Sequence, residues 1–226
     1  ISSIYLKKIL YLITKNELFA VLSTIFYLLY PYLFGHSLFN PKDIPFLSIW
    51  IILTYFNFHL INRFIDTNII KYREVFLFAF LSAFLISIRV SGILIFLQYL
   101  LSFIFLLNIK KISYELIFKE ILIKLIFFIF TVYIFILLFY PIFWTNPLLL
   151  IEAIMFMGNF PQDICTLTFG KCLRAQDLDL TYIPSWLLVK LPTIVLFGIL
   201  LLPFSERKIF NIEKNQIFVG TILSIV

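Results

Sequence analysis

Charge is scarce in this sequence. Asp, Glu, Lys and Arg make up 13% of its 226 residues, against about 25% in an ordinary soluble domain. Apolar residues fill the space: 62% of the chain is hydrophobic, 29 residues are Phe, and the mean hydropathy is +1.06. No single water-soluble core can take in that much apolar surface, so part of the solvent must be lipid. The composition predicts a polytopic membrane protein.

Glycine and cysteine are scarce too. The six glycines form no P-loop and no Rossmann fingerprint, and the sequence has no serine nucleophile elbow and no HExxH. Those absences exclude cytosolic nucleotide chemistry from this stretch of chain. There is no Gly-rich linker and no internal repeat, so 1–226 reads as a single domain. The two cysteines, Cys165 and Cys172, have no histidine near them and make no convincing zinc site. In an oxidising compartment they could close a small disulfide loop. A net charge of +6 would suggest nucleic acid in a soluble protein. Here the placement of the charges matters more than their sum, and no nucleic-acid partner is expected. The chain starts at Ile1 without a secretory leader pattern and stops inside an apolar run that begins near Ile217. It is expected to be an internal fragment of a longer protein.

A helix needs about 20 apolar residues to cross roughly 30 Å of hydrocarbon. Leu18–Phe34, Ile44–Ile61, Ile121–Tyr140 and Ile183–Phe204 qualify, with a partial span from Ile217. Val75–Leu107 would be roughly 50 Å long as one helix, too long for one crossing. Split at Arg89-Val90-Ser91-Gly92, it gives two short helices of about 22 Å each. The positive-inside rule decides between the readings. With the split, Lys7, Lys8, Lys15, Arg63, Lys71, Arg73, Lys110, Lys111, Lys119, Lys124, Arg207, Lys208 and Lys214 fall on the cytoplasmic side. The outer side keeps only Lys42, Arg89, Lys171, Arg174 and Lys190. Without the split that asymmetry collapses. The expected fold is therefore an all-α transmembrane bundle of about six full or short spans plus a partial seventh. One long outer loop, 141–182, carries an interfacial helix over Leu148–Met157 that Asn146 caps, with Pro147 at its first position.

The split puts three polar features on one face: the loop Gly35–Asp43, the turn at Arg89 and the outer loop. In the loop, Asp43 either caps the following helix through its dipole or serves a site. His36 is either an interfacial histidine or a ligand, and Lys42 either a solvated loop lysine or an anion contact. Asn40 precedes Pro41 in a turn. Arg89, between two short apolar helices, needs an anion or water beside it. Its partner is either Asp43, in a structural ion pair, or a phosphate or carboxylate, which a planar guanidinium suits. Gln162, Asp163, Lys171, Arg174, Asp177 and Asp179 form the densest charge cluster, in the outer loop. No polar position stands out at the middle of a span, and that counts against a transporter.

Four stretches in order, FGHSLFNPKDIPFL, LSAFLISIRVSGILI, YPIFWTNPLLLIEAIMFMGNFP and FGK…YIPSWLLVKLP, resemble bacterial membrane glycosyltransferases of the glycosyltransferase family 39-like group. These are relatives of the protein O-mannosyltransferases and of the lipid A aminoarabinose transferase, with the GT-C fold. The resemblance runs from Tyr30 to Pro192. It implies transfer of a sugar from a polyprenyl-phosphate donor to a lipid, glycan or protein acceptor, at the periplasmic face of a bacterial inner membrane. It places an auxiliary carboxylate at Asp43 and donor-phosphate contacts at Arg89, Lys42, Lys171 and Arg174. The main catalytic carboxylate is expected upstream of Ile1. A divalent metal is an open option, with Asp43 as one ligand. The alternatives are a transporter or flippase of lipid-linked sugars and a non-catalytic membrane subunit.

Overall fold

The computed structural model describes residues 1–109, 117–158, 166–168, 170–174 and 178–201. The described residues fall into two compact units that divide between Leu149 and Leu150.

The first unit is helical. Helix α1 (Ser2–Thr14) turns back through Lys15 into α2 (Glu17–Leu29). Lys15 takes a left-handed conformation, and Asn16 starts α2 by accepting the Phe19 N–H at 3.0 Å. Pro31 interrupts the run after Leu29, so α3 (Pro31–Phe39) leaves α2 at 54°. Helix α4 (Asp43–Thr67) is the longest, and left-handed Asn68 ends it. Helix α5 (Tyr72–Ile88) begins with the Glu74 carboxylate accepting the Lys71 N–H at 3.3 Å. A 3₁₀ turn (Val90–Leu94) links α5 to α6 (Ile95–Ile109). A π-helical turn (Ile117–Leu122) leads into α7 (Ile123–Phe139), and a further 3₁₀ turn (Pro141–Trp144) follows.

The break after α5 falls at Arg89, as the charge asymmetry predicts. Arg89 is extended, with φ −149° and ψ 135°, and the Gly92 N–H returns to its carbonyl at 2.8 Å. The turn folds back tightly on the last turn of α5. A Cβ on Gly92 would lie 3.0 Å from the backbone of Leu85 and Ile86, so this approach requires glycine.

The contacts along the helices fix their directions. Arg63 of α4 pairs with Glu74 of α5 at one end, and Asp43 pairs with Arg89 at the other, so these two helices are antiparallel. Helix α6 runs parallel to α4 through Gln98–Thr54 and Asn57–Ser102. Helix α7 runs parallel to α5 along a phenylalanine ladder: Phe76–Phe135, Phe80–Phe135 and Phe84–Phe139, with ring centroids 5.0–6.0 Å apart. Phenylalanine is abundant here because edge-to-face rings fill helix seams without polar atoms. Helix α1 packs Ile9 and Ile13 against Ile51 and Phe58 of α4. Other apolar faces stay uncovered: on α7, Ile126, Ile129 and Phe130 are 58–62% exposed.

Among the described residues two helices, Asp43–Thr67 and Glu120–Phe139, are long and apolar enough to cross a membrane, or up to four spans if each bent pair counts as one. That is fewer than the expected six to seven. Proline accounts for much of the shortfall. The expected span Leu18–Phe34 is divided by Pro31, and Ile183–Phe204 is not one helix but two, bent by 115°. Leu191 before Pro192 is extended, the conformation proline imposes on its predecessor. The expected run from Ile217 lies outside the described residues.

In the second unit, α8 (Leu149–Gly158) is a helix where one was expected over Leu148–Met157. Asn146 accepts the Leu148 N–H at 3.2 Å in the turn before it, so Pro147 precedes the helix instead of opening it. Strands β1 (Thr166–Thr168) and β2 (Lys171–Leu173) form an antiparallel hairpin with Gly170 in its turn at φ +77°. The all-helical expectation omits this hairpin. Helices α9 (Tyr182–Lys190) and α10 (Thr193–Leu201) complete the unit.

Candidate functional site

Chemistry-bearing side chains gather where α3 ends, α4 begins and α5 ends. Asn40 organises the junction. Its N–H closes α3 on the His36 carbonyl at 2.8 Å, and Pro41 holds it extended. Its side-chain oxygen accepts the N–H groups of Lys42 (3.2 Å) and Asp43 (2.9 Å), donors that the start of a helix leaves unpaired. Its Nδ2 donates to Asp43 Oδ2 at 2.7 Å and lies 3.3 Å from His36 Nδ1. The other Asp43 oxygen accepts from Arg89 Nη1 across 46 residues of sequence. The His36 ring is held between Tyr32 and Phe39, with centroids at 4.2 and 5.1 Å. Nearby, the Tyr140 hydroxyl donates to the Ser87 carbonyl at 2.5 Å, tying the end of α7 to the end of α5.

His36, Asn40, Asp43 and Arg89 are thus brought together as a connected polar chain. Lys42 is exposed and next to them in sequence. Lys171 in β2 and Arg174 just after it are exposed in the second unit. Of the two readings left open for Asp43, the cap is not its role: the first N–H groups of α4 are met by the Asn40 side chain, three residues upstream. Asp43 sits in the first turn with its carboxylate between Asn40 and Arg89. Its negative charge there is favourable to the helix dipole.

The Asp43–Arg89 pair is the contact expected of a structural reading, yet both side chains are about half exposed, at 47% and 49%. Ion pairs so exposed contribute only about 0–1 kcal/mol to stability. The guanidinium carries five N–H donors, so a contact through Nη1 leaves others able to meet an anion.

Cys172 is disulfide-bonded. The only other cysteine of the sequence, Cys165, lies outside the described residues, as do Gln162, Asp163 and Asp177. Asp179 serves the start of α9, its carboxylate accepting from the Leu180 N–H and the Thr181 hydroxyl. Among the described residues no three His, Cys, Asp or Glu side chains converge as metal ligands.

Sequence reasoning missed a second polar group. Midway along α4 and α6, Gln98 Nε2 donates to Thr54 Oγ1 at 3.0 Å and Asn57 Nδ2 to Ser102 Oγ at 2.9 Å. All four residues are buried, and the middle of the helices is therefore not free of polar positions. One turn closer to the far end, an apolar cavity of about 150 Å³ lies between α4, α6 and the π turn, lined by Asn57, Leu60, Phe64, Tyr99, Phe103 and Ile121 among others. The signal was the spacing: Thr54/Asn57 and Gln98/Ser102 stand three and four apart, on one face of their helices.

Comparison with family models, curated proteins and solved structures gives no match.

Proposed function

We propose that this chain is part of a membrane glycosyltransferase, taking a sugar from a polyprenyl-phosphate donor at the helix end where Asp43 and Arg89 meet. The observation that carries the reading is the half-exposed Asp43–Arg89 pair, braced by Asn40 and His36 where three helices begin or end. Glycosyl transfer from a lipid phosphate needs charge stabilisation of the departing phosphate and a base for the acceptor hydroxyl. Arg89 supplies the first: its permanent charge and planar donors suit a phosphate, and Asp43 fixes its orientation through Nη1. Asp43 is the auxiliary carboxylate, able to accept a hydrogen bond from the acceptor hydroxyl. In this reading the bundle sits in a bacterial inner membrane with this end periplasmic, consistent with Arg63, Lys71, Arg73 and Lys124 at the opposite end.

The test is sugar transfer in proteoliposomes by Asp43→Asn and Arg89→Ala, with membrane insertion checked separately. Roughly a hundredfold loss is expected for Arg89→Ala, as when one transition-state donor is removed. Transfer at the unmodified rate by both variants would overturn the assignment.

A second reading, movement of lipid-linked sugars across the membrane, is favoured by the buried Thr54–Gln98 and Asn57–Ser102 pairs midway along the helices. Net movement of lipid-linked sugar in proteoliposomes without any glycosidic bond changing hands would establish it in place of the first.

A further inference from the structure

The mid-helix pairs leave two amide oxygens over: Gln98 Oε1, buried away from the cavity, and Asn57 Oδ1, on a residue that lines it. The Ser102 hydroxyl gives its proton to the Gln98 carbonyl at 2.8 Å, so in its contact with Asn57 it accepts, and the amide nitrogen of Asn57 must be the atom facing it. Asn57 Oδ1 is then the other amide atom, and no hydrogen bond to it is formed among the described residues. The residue is only 6% exposed and lines the cavity. The cavity's other polar group is committed. Ser82 donates to the Phe78 carbonyl at 2.8 Å, so the 3.1 Å contact between Ser82 and Tyr99 uses the tyrosine proton. The rest of the lining is apolar, with Leu60, Ile70, Phe103 and Ile121 half-buried around it.

We propose that this cavity is a binding site for an aliphatic alcohol: a slender apolar chain that fills the space and donates its terminal hydroxyl to Asn57 Oδ1. An apolar space of this size takes small apolar guests. A pure hydrocarbon would cover Asn57 Oδ1 without giving it a partner, and a hydroxyl satisfies it. A charged headgroup has no counter-ion among the lining residues. The site is independent of the glycosyltransferase reading, because it lies at the middle and far end of α4, away from Asp43.

Photolabelling tests it. The protein in lipid nanodiscs is irradiated with a diazirine-bearing n-alkanol, and labelled residues are mapped by mass spectrometry. Saturable labelling of Phe64, Phe103 or Leu106 is expected. At equal concentration in the bilayer, 1-hexanol should compete about tenfold better than hexane, the worth of one ordinary hydrogen bond. In Asn57→Leu the two competitors should become equal. Leu60→Trp, which fills the space and leaves the Asn57–Ser102 bond intact, should abolish saturable labelling and keeps the test valid if Asn57→Leu fails to fold. Non-saturable labelling spread over the exposed helix faces, as a cavity holding only water would give, overturns the proposal. So does hexane competing as well as hexanol in the unmodified protein.

Discussion

Helix α4 carries two polar contacts of opposite character within fifteen residues. At its first residue, Asp43 meets Arg89 with both side chains half exposed. Three and four turns on, Thr54 and Asn57 meet Gln98 and Ser102 with every side chain buried. The charged contact contributes little to stability because water and salt compete for it. The neutral contacts matter more for stability, because breaking one leaves a buried polar group without a partner. Groups that stability does not need, yet that several neighbours hold in place, are those free to serve a ligand. Under the proposed function, sugar transfer belongs to the end of the helix, while the middle carries stability and the wall of the cavity.

Substitutions can break that division. The largest expected effect is at the charged end: Arg89→Ala lowers transfer roughly a hundredfold, while thermal unfolding in detergent shifts by less than about 1 kcal/mol. If stability falls as far as activity, the two regions do not differ as described. Gly92→Ala comes next. Its methyl would press on the Leu85–Ile86 backbone, with an expected cost of about 1–3 kcal/mol, read in the same unfolding experiment together with a loss of transfer as Arg89 is displaced. Asn57→Leu is expected to cost about 1 kcal/mol by removing the buried hydrogen bond to Ser102 and to leave transfer unchanged in the folded fraction. Transfer lost there without instability would move function to the middle and support the transport reading. The smallest effect is expected from Asn40→Ala. Loss of an N-terminal cap costs about 1 kcal/mol, and transfer should fall less than in Arg89→Ala because Arg89 keeps its carboxylate.

Much of the charged end was legible in the sequence. Arg89 stood out because a lone arginine between two short apolar runs needs a partner, and the lysine asymmetry forced the chain to turn there. In the sequence Asp43 could be either α4's cap or a site residue, because an acidic residue at a helix start satisfies the dipole in both cases. Only the geometry shows Asn40 reaching forward to two N–H groups while its amide holds Asp43. The middle was hidden for a different reason. Thr, Asn, Gln and Ser barely lower the hydropathy of an apolar run, and their pairing depends on the register of α4 against α6, which no single helix encodes. Helix α1 was missed because Lys7 and Lys8 mask the Ile9/Ile13 spacing that packs on α4. The division of Tyr182–Leu201 was visible in Pro192, but total hydropathy outweighed it. The glycosyltransferase resemblance remains part of the proposal, and the Asp43–Arg89 geometry is what supports it here.

The most direct measurement is the charge swap, Asp43→Arg combined with Arg89→Asp, assayed for sugar transfer beside each single variant. The swap keeps an ion pair between the ends of α4 and α5 but moves the guanidinium off its place. The account expects a folded, inserted protein with transfer as low as in Arg89→Ala. Recovery of transfer in the double variant would show that the pair only holds the helices together, and would contradict the account.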